Sequence, residues 1–116
     1  MNWTIHGEIP SMKNTLRRSA SGAFYHTDNG VQVYKNNFAL QTPRKFKKNL
    51  ACPVFVSIVV YQKDKRKDFH NCCDLVYDAL QYSGVIKNDR LIREWHGAGH
   101  IDKKDPRVEI TLEVLE

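Results

Sequence analysis

Asp68, His70 and Asp89 are the side chains of this sequence best suited to chemistry. Asp68 and His70 stand two apart beyond an apolar run and its basic tail, so in extended chain both leave on the same face. Asp89 ends a Lys87-Asn88-Asp89 stretch, which on its own is ordinary turn chemistry. Two carboxylates and an imidazole meeting at one sheet edge would form a divalent-metal site for Mg²⁺ or Mn²⁺. Ions held that way generate a nucleophile from water and compensate charge developing on an oxygen. Asp68 stands out because nothing in the sequence requires a carboxylate there for structure.

The elements between these residues must bring them together. Asn71 suits a helix N-cap, and Cys72, Leu75, Val76, Ala79 and Leu80 follow at the spacing of one buried helical stripe. Gly84 supplies the stop. A helix of roughly twelve residues rises about 18 Å. The chain must then turn back, and Asp89 nears Asp68 and His70 if the next strand lies beside the one that ended near Asp68. Asp74 falls at the third helical position from Asn71, where a carboxylate favours the helix dipole and can bond back to the cap. Asp78, one turn on, reads equally as structural or, together with Asp74, as a second-line residue of the site.

The remaining elements follow from periodicity. Residues 53–61, apolar and rich in β-branched side chains, predict a central strand buried on both faces. Residues 2–9, 89–95 and 107–115 predict further strands, the last alternating Val108, Ile110, Leu112 and Val114 against polar partners. His96-Gly97-Ala98-Gly99-His100 and the polar run 102–106 predict a turn or bulge. Residues 11–21, with Lys13, Arg17 and Arg18, predict a basic loop that orders on a ligand, and Asp28-Asn29-Gly30 predicts a small hairpin over 24–34. A short helix is expected to begin near Thr42. The sum is an α+β domain over 1–116, with a small mixed sheet of about four strands, two helices and a protruding N-terminal hairpin.

Asp68-x-x-Asn71, then Asp78-Ala79-Leu80, then Gly84-Val85-Ile86-Lys87-Asn88-Asp89, with the terminal Pro106-Arg107-Val108-Glu109-Ile110 strand, resembles the RusA family of Holliday-junction endonucleases. Gly7 to Asn14 resembles that family's opening, while the part between about Ser19 and Leu50 matches weakly. The motifs are short, and their ordered combination carries the resemblance. It implies a metal-dependent endonuclease that resolves four-way branched DNA in recombination and repair, nicking opposed strands symmetrically as a homodimer. In that reading Asp68, His70 and Asp89 hold the metal, and Lys13, Arg17, Arg18 and Arg44 contact phosphates. The chain departs from the pattern at His70, where a second acid is expected, and at Asp74, where a lysine is expected. A bacterial or phage-encoded cytoplasmic protein is implied by the same resemblance.

Composition agrees with a polyanion partner. Among 116 residues, 18 Lys and Arg exceed 13 Asp and Glu, and the bias is strongest over residues 44–48 and 63–67. Three cysteines, two of them adjacent, do not make a disulfide framework, and no apolar run is long enough to cross a bilayer. Two other readings stay open. One is a structure-specific DNA-binding protein of the same fold that no longer cuts, motivated by His70 and Asp74. The other is a zinc-stabilised interaction domain, which the adjacent placement of Cys72 and Cys73 disfavours.

Overall fold

Strand β4 (Val54–Gln62) is the spine of the sheet. The computed structural model describes residues 1–10, 16–18, 24–26, 30–65 and 68–115, with backbone alone for 16–18 and 24–26. Val54, Val56, Ile58 and Val60 are fully buried on one face of β4, while Phe55, Ser57, Val59 and Tyr61 are half-buried on the other. The strand is therefore central, yet covered on one face rather than on both, as the alternation of burial shows. It pairs antiparallel with β6 (Arg107–Val114), which pairs antiparallel with β1 (Asn2–His6). On its other side it pairs in parallel with β5 (Ile92–Ile101), giving the mixed order β1-β6-β4-β5.

Helix α2 (Phe69–Tyr82) is the crossover between the two parallel strands. It buries Cys72, Cys73, Leu75, Val76, Ala79 and Leu80 against the sheet, together with Trp3, Ile5, Val108, Ile110 and Leu112. Gly84 follows the helix with φ +83°, and its N–H and that of Val85 bond back to the carbonyls of Gln81 and Leu80. Helix α1 (Gly30–Gln41) adds Tyr34 and Phe38 to the same core, and the Tyr82 hydroxyl ties the two helices by donating to Asn36 Oδ1 at 2.6 Å.

The N-terminal half departs from the sequence expectation. Phe24–His26 (β3) pairs backwards with Leu16–Arg18 (β2), inside the stretch expected to be a loop, and the supposed return strand over 31–34 is the start of α1. Tyr34 and Phe38, four apart, are both buried, and that tertiary gain outweighs the β-propensity of Val31 and Val33. The helix expected to begin near Thr42 instead ends there. Thr42 Oγ1 donates to the Phe38 carbonyl at 2.7 Å, and Pro43 prevents continuation. Only a 3₁₀ turn, Arg44–Phe46, follows.

Candidate active site

Asp68 opens α2. Its backbone is extended, and its Oδ1 accepts the His70 N–H at 2.9 Å, so Asp68 and not Asn71 is the N-cap. The expectation that Asp68 and His70 share one face of an extended chain is thereby corrected, because His70 already lies in the first helical turn. Asp74 falls well past the first turn and makes no return bond to the cap. It is exposed, as are Asp68 and His70, and Asp78 is half-buried one turn on.

What fixes the capped end in place is Phe69. A Cβ added at Gly99 would stand 2.9 Å from the Phe69 ring, and one added at Gly97 would stand 3.2 Å from it. The ring therefore lies on bare backbone of β5. Residues 96–100, expected as a turn, are strand interior, since glycine in a strand allows close approach of another group. Phe69, His70, Cys73, Asp74, Tyr77, Trp95 and Gly97 line a cleft of about 320 Å³ between helix and edge strand. Burial, with smaller contributions from Cys72 and Asp74, pushes the Cys73 thiol up to about 11. Neighbouring Cys72 is instead turned into the core and accepts from Gln62 Nε2 at 2.9 Å.

Asp89 is not in this cleft. Asn88 caps the 3₁₀ turn Asp89–Leu91, and the Asp89 N–H donates to Gln81 Oε1 at 3.1 Å, at the far end of α2. Parallel pairing explains this, for Ile92 lies beside Val54, whereas the chain leaves β4 at Gln62 on the way to Asp68. The two carboxylates are separated by the length of a 14-residue helix, about 20 Å at 1.5 Å per residue. The expected union of Asp68, His70 and Asp89 within one chain does not occur, and among the described residues no group of three His, Cys, Asp or Glu could hold a metal. Among the described residues, a divalent ion at the Asp68 end of α2 would therefore lack Asp89 of the same chain as a ligand.

Lys13 lies outside the described residues, and of Arg17 and Arg18 only the backbone, in β2, is described. Arg44 is exposed at the start of its 3₁₀ turn. Sequence reasoning missed Phe69, Trp95 and Tyr77 as lining residues. The period-two glycines at 97 and 99 were the available signal.

Comparison with known protein families decides what these elements belong to. The family described as Endodeoxyribonuclease RusA matches residues 7–113, nearly the whole chain. This chain is a member of the RusA endodeoxyribonuclease family. Its α+β fold, with two helices and a four-stranded mixed sheet, is consistent with that membership, and the family makes it an endonuclease that hydrolyses DNA. No curated protein matched the chain. RusA membership implies Holliday-junction resolution, and no helix among the described residues is long and apolar enough to cross a membrane.

Proposed function

We propose that the protein resolves four-way DNA junctions as a homodimer dependent on a divalent metal, with each site shared between two chains. Family membership over residues 7–113 carries the nuclease reading. The separation of Asp68 from Asp89 supports the dimer. Edge strand β5 runs from the Asp89 end of α2 to the Asp68 end, and it exposes Trp95 and Ile101. Two copies meeting antiparallel along β5 would place Asp89 of the partner subunit near the Asp68 and His70 end of the first. The ion held there would supply charge compensation at the scissile phosphate and a water activated at neutral pH. Within each chain Asp68 is oriented by its cap bond, and that bond leaves the second carboxylate oxygen uncommitted by any hydrogen bond among the described residues.

The test is cleavage of a synthetic four-way junction by the purified protein with Mg²⁺ or Mn²⁺. Paired, symmetric nicks that vanish in Asp68→Asn support the reading. Asparagine caps a helix as well as aspartate, so this substitution removes charge and keeps the fold. Tight junction binding without nicks under either metal would favour the non-cutting DNA-binding protein.

A further inference from the structure

Seven exposed cations gather at the C-terminal end of α2. Arg44, Lys45, Lys47 and Lys48 stand on one loop, and Lys87, Arg90 and Arg93 stand on the segment around Asp89. Backbone pairing joins the two stretches. The Asn49 N–H donates to the Gly84 carbonyl at 2.7 Å, the Lys87 N–H donates to Leu50 at 2.8 Å, and Leu50 and Ile86 form a parallel bridge. The loop is also anchored from within, because the Phe46 ring packs on Trp3 at 5.1 Å between centroids. Asn49 takes φ +50° to complete the turn, a conformation that Asn tolerates better than most residues.

These cations are not neutralised internally. None of the seven makes an ion pair among the described residues, whereas Arg107, at the other end of β5, is paired with Asp102, Asp105 and Glu109. The packing of Phe46 and Leu50 on the core fixes the backbone that carries these cations, so they stand at set positions on the surface. Clustered, preorganised, unpaired cations are what a sugar–phosphate backbone recognises. We infer that this surface binds the phosphates of a duplex arm next to Asp89. The inference rests on the nuclease reading and extends it from the chemistry to the path of the DNA.

The experiment measures equilibrium binding of a labelled four-way junction in EDTA, where nothing is cut, across a KCl series. Lys47→Ala/Lys48→Ala/Arg90→Ala is expected to make the slope of log K against log salt shallower by about 2 to 3, since each lost duplex phosphate contact is worth about 0.9. Lys103→Ala/Lys104→Ala, equally exposed but in the β5–β6 turn, should leave the slope unchanged. Lys47→Arg/Lys48→Arg should also leave it unchanged, which separates charge from folding. A triple variant with unaltered slope, or a Lys103/Lys104 control that falls just as far, overturns the assignment. If wild-type protein cuts junctions while the triple variant keeps its slope, the patch alone is wrong. Should wild-type protein neither bind nor cut, both readings fail together.

Discussion

The two ends of α2 are built differently. At the N-terminal end a side chain does the capping and an aromatic ring does the docking, so Asp68 and Phe69 set where His70 and Asp74 stand. At the C-terminal end the backbone does both, through Gly84 at positive φ and the bonds from 49–50 to 84–87. Electrostatics follows the same division. The helix dipole favours the Asp68 carboxylate at one end, while the cations Lys87 and Arg90 stand on the segment beyond the other. At the first end, therefore, a truncation such as Asp68→Ala disturbs structure and chemistry together, and only an isostere that keeps the cap, such as Asp68→Asn, separates them, while the second end offers exposed charges that can be removed with little structural effect.

The largest expected effect breaks or confirms the separation of the acids. Asp68→Asn and Asp89→Asn should each abolish cleavage alone. Mixed and allowed to exchange subunits, the two inactive proteins should regain nicking, because half of the mixed dimers' sites combine an intact Asp68 with an intact Asp89. No recovery under proven exchange would return both acids to one chain and contradict the geometry above. Next comes metal choice. As a metal ligand, an imidazole at position 70 would be softer than the acid expected there, so cleavage should be faster with Mn²⁺ than with Mg²⁺, and His70→Asp should raise the Mg²⁺ rate. Equal rates with both metals in wild type and His70→Ala would remove His70 from the site.

Stability measurements sharpen the contrast between ring docking and backbone closure. Gly99→Ala places a methyl 2.9 Å from the Phe69 ring, an overpacking cost of about 1–3 kcal/mol that denaturant midpoints will show. Asp68→Ala loses the cap, about 1 kcal/mol, and Asp68→Asn should not. A smaller effect appears in alkali. Cys73 holds its proton up to about 11 in the folded chain against an ordinary value of 9.0, so between those pH values the unfolded chain binds fewer protons and stability falls as pH rises. Cys73→Ala should flatten that decline in a urea titration, and an unchanged slope would place its cause elsewhere.

Much of the sheet was legible in the sequence. The alternation of Val108, Ile110 and Leu112 and the stripe from Cys72 to Leu80 each reflect burial on one face, which local periodicity records directly. The cap was less legible because Asp68 and Asn71 are both competent caps, and the choice depends on where Phe69 lands. That contact joins residues about thirty apart in sequence and leaves no local trace except two glycines, which read equally well as a turn. Helix α1 was hidden for the same reason, since its Asn-Gly and β-branched start obey local hairpin rules while Tyr34 and Phe38 obey the core. The distance from Asp68 to Asp89 was derivable. A parallel crossover returns the chain to the edge where the first strand began, so residues preceding β5 had to lie by Val54.

The seat of Phe69 on Gly97 and Gly99 also constrains how the sequence can drift. Ring and glycines share one volume, so a larger residue at position 99 crowds the ring unless position 69 shrinks, and a smaller residue at 69 leaves a void until β5 gains atoms. Neither change is neutral first. The two positions form a unit of inheritance that spans the helix and the edge strand, and because residue 69 sits between the capping acid and His70, the permitted steps at a distant strand are set by the need to keep those two side chains where they are.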